Sequence, residues 1–370
     1  MDDGHGEGQR VRRLLLAGGG SGGHVFPGLA VAEELLDRGW EVAWAGRRDS
    51  MEQELVSRQG MEFLALPSRP VLGRGLWSRA GALTTAAASA LAARRLVRTH
   101  GIGIVLGTGG YVSVPGVLGG RLAGRPALLL EPNARAGVAN RNLSRWAQGA
   151  AVAFEPALSG LRCPARLTGV PVRRDFYLLP DRPPAGPPLI LVLGGSQGAE
   201  QLNRLVPRAL TLLPPGLPRL EVIHQAGERH LEETKREYAK CSTAGSGLEI
   251  EVTDFLPDVA VSMGRASLVI SRAGAVTLAE ICAARRPAVL VPLRIAGGHQ
   301  IDNARGAEAS GGARVLSGDD ATAERLAAIL GSLLAAPGAL PGMGASLGRL
   351  ARRNAAGEIA DWVERLEEAA

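Results

Sequence analysis

Short apolar runs alternate with helix-length amphipathic stretches along almost the whole sequence. The apolar runs fall at 13–17, 41–45, 63–66, 103–106, 127–130, 150–153, 188–193, 220–224, 248–253, 267–270 and 288–293. Helical patterns stand between them, as at Leu29 to Arg38, Leu83 to Arg98, Leu202 to Leu213 and Thr277 to Ala284. Parallel sheets with crossover helices require this alternation. The sequence therefore predicts the α/β class.

The order strand, glycine loop, helix opens two halves of the chain. One loop is 18–24, Gly-Gly-Gly-Ser-Gly-Gly-His, and the other is 194–198, Gly-Gly-Ser-Gln-Gly. At 370 residues the chain exceeds what one core usually organises. The Pro-rich stretch 180–188 suits a linker, because proline interrupts helices and central strands. We expect a polar tail at 1–12, doubly wound domains at 13–170 and 171–350, one amphipathic helix over 347–368, and residues 351–370 packing back on the first domain.

Cysteine usage and hydropathy exclude several classes of protein. Cys163, Cys241 and Cys282 are odd in number and scattered, which favours a reducing cytosol over a disulfide framework or a metal site. Residues 1–12 lack the apolar core of a signal peptide. The weakly polar run 80–93 is too short and too mild to span a bilayer.

Positive charge is concentrated in one part of the first half. Between Glu62 and Glu131 no acidic residue occurs. The same segment carries eight arginines and several apolar side chains, namely Arg69, Arg74, Arg79, Arg94, Arg95, Arg98, Arg121 and Arg125, with Leu72, Leu76, Trp77 and Leu83 among them. A solvated charged face is the simpler interpretation. The mixture also suits contact with an anionic membrane surface, whereas nucleic acid is disfavoured because few aromatics interleave with the arginines.

The string Gly18-x-Gly20-x-x-Gly23 also matches a dinucleotide fingerprint. That fingerprint needs an acidic residue at the end of the second strand, and here Gly46-Arg47-Arg48 follows the strand instead. An NADP-type arginine keeps a nicotinamide oxidoreductase open as an alternative. It leaves the second glycine loop unexplained.

The remaining motifs point to a particular family. In chain order they are Gly18 to Pro27, Glu131-x-Asn133, Pro171-Val172-Arg173, Gly194 to Gly198, Ser271 to Glu280 and Gln300-x-x-Asn303. This set closely resembles the MurG family of N-acetylglucosaminyltransferases, and the resemblance runs from about Arg13 to the final helix. It implies a GT-B architecture, two Rossmann-like doubly wound parallel-sheet domains facing a central cleft.

The resemblance also implies a donor site for UDP-N-acetylglucosamine, held mainly by the second domain. By this resemblance, the backbone of Leu256 contacts the uracil and Glu280 contacts the ribose hydroxyls. The diphosphate is held by Ser196 and by the helix start Ala275, Val276 and Thr277, with Arg173 as a nearby cation and with Leu278 and Ala279 continuing that helix to Glu280. Gln300 and Asn303 contact the sugar hydroxyls, and Ser21, Gly22, Gly23 and Asn133 complete the pocket from the first domain.

The chemistry expected of such a site needs no metal and no cofactor. Departing UDP gains negative charge, which helix N-termini and an arginine stabilise. The chain offers no Asp-x-Asp between a strand and a loop. Asp319-Asp320 follows Gly318 in what is typical of a helix cap.

A base must take the proton of the attacking acceptor hydroxyl. His24 is the leading candidate, because its ordinary pKa suits the task; the alternative is a helix-start histidine that only orients the loop. Glu131 is a second candidate base or a partner of His24. Tyr111, after the third glycine loop at 107–110, is expected to shape the acceptor site.

Several positions depart from the family's usual pattern. Leu130 replaces a histidine, Pro132 a glutamine and Val170 an asparagine, whereas Ser21 in place of threonine keeps the hydroxyl. Ala273 stands where serine is common. These changes weaken any proton-relay role assigned there and leave the donor set intact.

The sequence thus predicts an inverting transferase that makes lipid II from lipid I, the undecaprenyl-pyrophosphoryl-N-acetylmuramyl-pentapeptide, for peptidoglycan synthesis. It is expected to act peripherally at the cytoplasmic face of the cell membrane. The alternatives are another GT-B lipid glycosyltransferase, a nucleotide-sugar epimerase, a non-catalytic UDP-sugar sensor and the oxidoreductase. Acceptor-side residues do not separate the first two of these alternatives from the main hypothesis.

Overall fold

A computed structural model describes residues 11–66, 76–195, 197–241, 247–293 and 299–370, excepting the side chains of 76–86, 241 and 299. The chain forms two compact units. The first comprises residues up to Glu131 together with Ala136–Gly169 and Ala356–Ala370. The second comprises Pro132–Arg135 and Val170–Ala355.

The first unit is built on a parallel sheet of seven strands. They are β1 (Arg13–Gly18), β2 (Glu41–Gly46), β3 (Glu62–Ala65), β4 (Ile104–Gly109), β5 (Ala127–Glu131), β6 (Gly149–Val152) and β7 (Ala165–Leu167). Their order across the sheet is β3-β2-β1-β4-β5-β6-β7. Helices cover the sheet: α1 (Gly22–Asp37), α2 (Met51–Arg58), α3 (Leu76–Thr99), α4 (Gly110–Leu122) and α5 (Val138–Leu143). A 3₁₀ turn spans Glu155–Gly160.

The second unit repeats this design on a parallel sheet of six strands. They are β8 (Leu189–Leu193), β9 (Leu220–Gln225), β10 (Leu248–Thr253), β11 (Leu268–Ser271), β12 (Ala288–Leu290) and β13 (Ala313–Val315), in the order β10-β9-β8-β11-β12-β13. Its helices are α6 (Arg174–Tyr177), α7 (Glu200–Thr211), α8 (Leu231–Cys241), α9 (Val259–Arg265), α10 (Ala275–Ala283), α11 (His299–Ala309), α12 (Ala323–Ala335) and α13 (Leu340–Gly348). Both sheets have the doubly wound order of Rossmann folds.

Both sheets are buried on two faces, as parallel sheets require. Leu14, Leu15 and Leu16 of β1 are all fully buried, with alternate side chains in the two opposite core clusters. Ile190 and Leu191 of β8 divide in the same way between the clusters of the second unit. The continuous apolar runs of the sequence are explained by this two-sided burial.

Two edge strands were not predicted from the sequence. β7 and β13 have three residues each and lie at the ends of their sheets. Both are partly exposed, so they carry no apolar run that marks them. The predicted strand at 288–293 is also shorter than expected, because Pro292 has no N–H to continue the ladder.

The predicted single helix over 347–368 is wrong. α13 ends at Gly348 and a separate helix, α14 (Ala355–Glu368), follows after a break. α14 belongs to the first unit, where Ile359 and Val363 are fully buried in the core. Arg38 at the end of α1 binds this helix through Asp361 at 2.7 Å and Glu364 at 2.9 Å.

The Pro-rich stretch 180–188 was predicted to be a linker between the units, and this prediction is wrong. The stretch lies inside the second unit. Arg286 is almost fully buried and donates to the carbonyl oxygens of Pro180 at 2.8 Å and Met263 at 2.9 Å. These bonds hold the stretch against α9.

Asp319 and Asp320 do not cap a helix. They lie in a 3₁₀ turn, Gly318–Asp320, and the N-cap of α12 is Thr322, whose hydroxyl accepts from Arg325 N at 3.2 Å. No helix among the described residues is by itself long and apolar enough to cross a membrane. Ala323–Ala335 and Pro337–Gly348, bent by 86° where they join, meet that length and composition only as a pair.

Candidate active site

The first glycine loop joins β1 to α1. Gly20 has φ +85°, a conformation that strains residues with a Cβ. Ser21 is the extended N-cap of α1, and its carbonyl oxygen accepts from His24 N at 3.1 Å. Gly22, Gly23 and His24 therefore form the first helical turn, whose leading N–H groups have no partner within the helix. This arrangement suits an anion or a polarised hydroxyl.

Side chains beneath this loop fix its course. The buried indole of Trp44 donates from Nε1 to Gly18 O at 3.0 Å. Glu52, 2% exposed, places a carboxylate oxygen 3.5 Å from Gly20 N. A Cβ at Gly19 would lie 2.5 Å from that same carboxylate. The glycines are thus required by close packing as well as by backbone conformation.

His24 bridges the first glycine loop and the end of β4. Its Nδ1 lies 3.1 Å from Thr108 O. A carbonyl oxygen only accepts, so Nδ1 carries the proton, and in the neutral ring Nε2 is then the acceptor. The ring lies against the third glycine loop, since a Cβ at Gly109 would lie 2.7 Å from Nδ1. The structure leaves no room there for any residue but glycine.

Burial favours the neutral form of the His24 ring. Burial lowers its pKa from the ordinary 6.5, while the negative charge of Glu131 and the bond to Thr108 oppose that change. Glu131 ends β5 and is 1% exposed. Its Oε2 accepts from Gly137 N at 2.8 Å and Asn140 Nδ2 at 3.0 Å. Glu131 is therefore held in place while it acts on His24.

Tyr111, in the first turn of α4, also reaches the first glycine loop. A Cβ at Gly20 would lie 3.1 Å from its Cε1. The first unit thus gathers the candidate residues His24, Tyr111, Ser21, Gly22 and Gly23 around one loop, with Glu131 acting on His24.

The second glycine loop joins β8 to α7. Gly194 N donates to Gln225 O at 3.3 Å, and Gly198 N donates to Gly195 O at 3.0 Å. Gly198 has φ +75° and packs directly on the carbonyl of Ala226. Ser196, the predicted diphosphate contact, lies outside the described residues.

The predicted nucleotide helix is α10, which begins at Ala275 after the extended N-cap Gly274. Val276, Thr277, Leu278 and Ala279 follow within it. Glu280 ends this stretch at 8% exposure, and burial raises its pKa to about 7, opposed by the positive charge of Arg173. Arg173 is the N-cap of α6 and stacks over Phe176 at 5.1 Å. The structure brings Arg173 and Glu280 close enough to interact.

Gln300 and Asn303 lie one turn apart on α11. Gln300 Oε1 accepts from Leu293 N at 2.9 Å. Asn303 donates from Nδ2 to Ala273 O at 3.1 Å, which attaches α11 to the loop before α10. Its Oδ1 is buried and has no partner among the described residues.

The two other predicted contacts also lie in the second unit. Leu256 follows β10 and is 8% exposed. The prediction that Asn133 belongs to the first domain is wrong. The segment Pro132–Arg135 belongs to the second unit, because its neighbours lie mainly there.

Sequence reasoning missed Trp44, Glu52 and Asn140. Each acts through a contact that depends on the tertiary fold, and none stands in a recognisable motif. Thr108 lies in the third glycine loop, so its position was signalled although its carbonyl contact was not. Within the described parts of the chain, no cluster of three or more His, Cys, Asp or Glu side chains could hold a metal ion.

Comparisons with known proteins agree across the chain. Residues 14–152 match the model of the glycosyltransferase family 28 N-terminal domain, and residues 189–354 match that of the glycosyltransferase family 28 C-terminal domain. Together these models account for most of both units.

Two curated relatives carry one name, UDP-N-acetylglucosamine--N-acetylmuramyl-(pentapeptide) pyrophosphoryl-undecaprenol N-acetylglucosamine transferase. The protein of Ectopseudomonas mendocina (strain ymp) is 44% identical over 355 residues, 94% of this chain and 97% of its own. That of Halorhodospira halophila (strain DSM 244 / SL1) is 42% identical over 363 residues, 96% of this chain and 98% of its own.

Solved structures show the same likeness. MurG of Acinetobacter baumannii superposes with a TM-score of 0.71 at 31% identity, covering 96% of this chain and 99% of its own. The glycotransferase of kitacinnamycin superposes with a TM-score of 0.65 at 18% identity, covering 96% and 99%, and this likeness concerns the fold alone. The GT-B fold predicted from the sequence is confirmed.

Proposed function

This chain belongs to glycosyltransferase family 28, and on that premise we propose that it transfers N-acetylglucosamine from UDP-N-acetylglucosamine to undecaprenyl-pyrophosphoryl-N-acetylmuramyl-pentapeptide. Relatives of that name cover nearly the whole chain at 44% and 42% identity. The observation that carries the chemistry is the bond between His24 Nδ1 and Thr108 O, which leaves Nε2 as a basic nitrogen. The product would be the disaccharide-linked precursor of peptidoglycan.

The second unit would bind the donor. The leading N–H groups of α10, at Ala275, Val276 and Thr277, would hold the diphosphate together with Ser196. Helix N-termini favour anions, so this placement would stabilise the charge that develops on departing UDP. Arg173 adds a permanent cation next to Glu280.

The rest of the donor would be read by side chains and one backbone segment. Glu280 would accept from the ribose hydroxyls, and the backbone of Leu256 would meet the uracil. Asn303 would accept a sugar hydroxyl through its buried Oδ1, with Gln300 one turn earlier. Asn133 would complete this set.

The first unit would supply the base. His24 Nε2 would take the proton of the acceptor hydroxyl as its oxygen attacks the anomeric carbon and the bond from that carbon to the diphosphate breaks. One displacement inverts the anomeric configuration. Glu131 would stabilise the imidazolium that forms, because its negative charge raises the pKa of His24. Tyr111 would shape the acceptor site beside Gly20.

The acceptor carries a lipid, and we propose that the first unit contacts the anionic cytoplasmic face of the membrane. Leu91 of α3 and Leu122 of α4 are 58% and 53% exposed. Arg94 of α3 donates from Nε to Leu122 O at 3.1 Å, which links α3 to α4. Arg74 lies outside the described residues, and Trp77 is in α3 with its side chain among those excepted. Apolar side chains beside arginines favour an anionic interface.

Liposome flotation tests the membrane contact. The double variant Arg95→Glu/Arg98→Glu on exposed positions of α3 should lower binding to vesicles with anionic lipid and leave binding to neutral vesicles unchanged. The matched control is Arg349→Glu of the second unit. Equal flotation of all three proteins would contradict the proposal.

The central experiment measures transfer of labelled N-acetylglucosamine from UDP to a lipid I analogue with a chelator in excess. We expect transfer with inversion at the anomeric carbon. Transfer to diacylglycerol and not to lipid I would favour another lipid glycosyltransferase. Donor binding without any transfer would contradict the enzymatic proposal.

A further inference from the structure

Three buried polar side chains in the second unit form a chain of hydrogen bonds. Tyr238 of α8, His224 of β9 and Asn203 of α7 are each at most 4% exposed. Tyr238 Oη lies 2.8 Å from His224 Nδ1, and His224 Nε2 lies 3.0 Å from Asn203 Oδ1. None of the predicted site residues takes part in these hydrogen bonds.

The donor and the acceptor of each of these hydrogen bonds can be assigned. Asn203 donates from Nδ2 to Ala226 O at 3.0 Å, so its Oδ1 must accept from His224 Nε2. Burial lowers the pKa of His224 to about 3, which keeps the ring neutral. A neutral ring with a proton on Nε2 accepts at Nδ1, and the hydroxyl of Tyr238 therefore donates. All three side chains are therefore neutral, and each donates a hydrogen bond in the direction of Ala226.

This series of hydrogen bonds ends at a turn that contacts the second glycine loop. The carbonyl of Ala226, which accepts from Asn203, packs directly against Gly198. A Cβ at Gly227 would lie 2.7 Å from Gly198 Cα. Among the described residues no side chain separates Gly198 from Gly227, so a shift of one segment is transmitted to the other.

The same turn is attached to the loop that follows β10. Ala226 N donates to Thr253 O at 2.8 Å, and Gly227 N donates to Asp254 O at 3.1 Å. Leu256 lies two residues further on. The Ala226–Gly227 turn thus stands between the loop 194–198 and the loop 253–256.

We propose that Tyr238, His224 and Asn203 are positioning residues for the donor nucleotide. By fixing the Ala226–Gly227 turn, they set the separation between the loop that meets the diphosphate and the loop that meets the base. This inference rests on the proposed function, which assigns those two loops to UDP. None of the three side chains touches the nucleotide itself.

Titration of the full-length protein with UDP tests the inference. Tyr238→Phe removes one buried hydrogen bond and should weaken UDP binding about five-fold. Asn203→Leu frees the Ala226 carbonyl directly and should weaken it further. His224→Leu should resemble Asn203→Leu, whereas His224→Gln should retain most of the affinity, because its amide offers one donor and one acceptor.

Kinetic measurements separate positioning from general stabilisation. The variants should raise KM for the donor and leave KM for the acceptor unchanged. The matched control is Leu340→Ala on α13, a buried residue of the same core cluster. It should lower the unfolding temperature without changing the Kd for UDP.

Two failures are distinguishable. If the unaltered protein does not bind UDP, the proposed function is wrong. If it binds UDP and the variants bind equally well while unfolding at lower temperature, the three residues only stabilise the fold and the inference is overturned. Failure of His224→Gln to restore affinity relative to His224→Leu would overturn it too.

Discussion

The Nδ1 atom of His24 lies 3.1 Å from the carbonyl oxygen of Thr108, and this contact determines which ring nitrogen carries the proton. The proposed base is therefore Nε2. Replacing His24 with glutamine should lower kcat by about 10²- to 10⁴-fold, the usual contribution of a general base. The Kd for UDP should be unchanged, because the donor site is assigned to the second unit. Transfer assays and UDP titrations measure the two effects.

His100→Gln is the matched control for that substitution. His100 also lies in the first unit, where it pairs with Glu62 at 3.3 Å. Full activity of His24→Gln would show that the residue only orients its loop.

The charge of Glu131 predicts a shift in the pH profile. A carboxylate near His24 raises the pKa of that histidine. In Glu131→Gln the pKa of His24 should fall, so the base loses activity only at lower pH and the acidic limb of kcat moves to lower pH. The pH dependence of kcat, measured against Glu155→Gln as an exposed control, checks the direction. A limb that moves to higher pH would contradict it.

The raised pKa of Glu280 leads us to expect that nucleotide binding releases a proton. Burial raises its pKa to about 7, so about half of the molecules carry the proton at pH 7. Ribose hydroxyls donate to the ionised form and favour it. UDP binding should therefore release about half a proton at pH 7, and affinity should rise between pH 6 and 8.

Calorimetry in buffers of different ionisation enthalpy measures that proton. Glu280→Gln should bind UDP more weakly and release none, whereas the exposed Glu249→Gln should behave like the parent. Equal proton release from the parent and Glu280→Gln would assign the proton to another group.

The sequence predicted the sheets well because buried parallel strands are continuous apolar runs, as in Leu14–Leu16. It missed β7 and β13, which are short edges with mixed exposure. The break between α13 and α14 was also missed, since both sides keep an amphipathic pattern. The partly exposed edges β3 and β10 were predicted because they are longer, so local pattern fails at the three-residue edges β7 and β13 and at the turn before α14.

The candidate site was predictable only where residues share a motif. Gly18 to His24 and Ala275 to Glu280 each follow a strand and open a helix, so their chemistry can be recognised locally. Thr108 lies 84 residues from His24, and its carbonyl contact arises only in the folded chain. His224 stands in an apolar strand, where a lone histidine does not reveal its partners.

His224 predicts how stability depends on pH. Its pKa is about 3 in the folded protein and 6.5 is its ordinary value, so below pH 6.5 the unfolded chain binds a proton that the folded chain excludes. Stability is therefore lost as pH falls from 6.5 towards 3. By pH 5 the loss relative to pH 8 should be about 2 kcal/mol.

Denaturant unfolding at both pH values, compared with His224→Gln, isolates that contribution. Glutamine does not titrate, so the difference in the free energy of unfolding between the two proteins should narrow as pH falls. A constant difference would show that His224 is protonated in the folded state as well.

Two helical glycines predict opposite effects of the same substitution. At Gly119 of α4 a Cβ would lie 2.7 Å from Arg94 N and 2.8 Å from the carbonyl carbon of Ala93, backbone atoms of α3 that do not move freely. Gly119→Ala should therefore lower the free energy of unfolding by about 1–3 kcal/mol. At Gly306 of α11, apart from the adjoining residues and the backbone of that helix, no atom of the described residues lies within 4 Å of a Cβ. Gly306→Ala should raise that free energy by about 0.4–1 kcal/mol, because alanine restricts the unfolded chain. Denaturant titrations of the two variants measure both changes, and a stabilised Gly119→Ala would show that α3 and α4 separate at low cost.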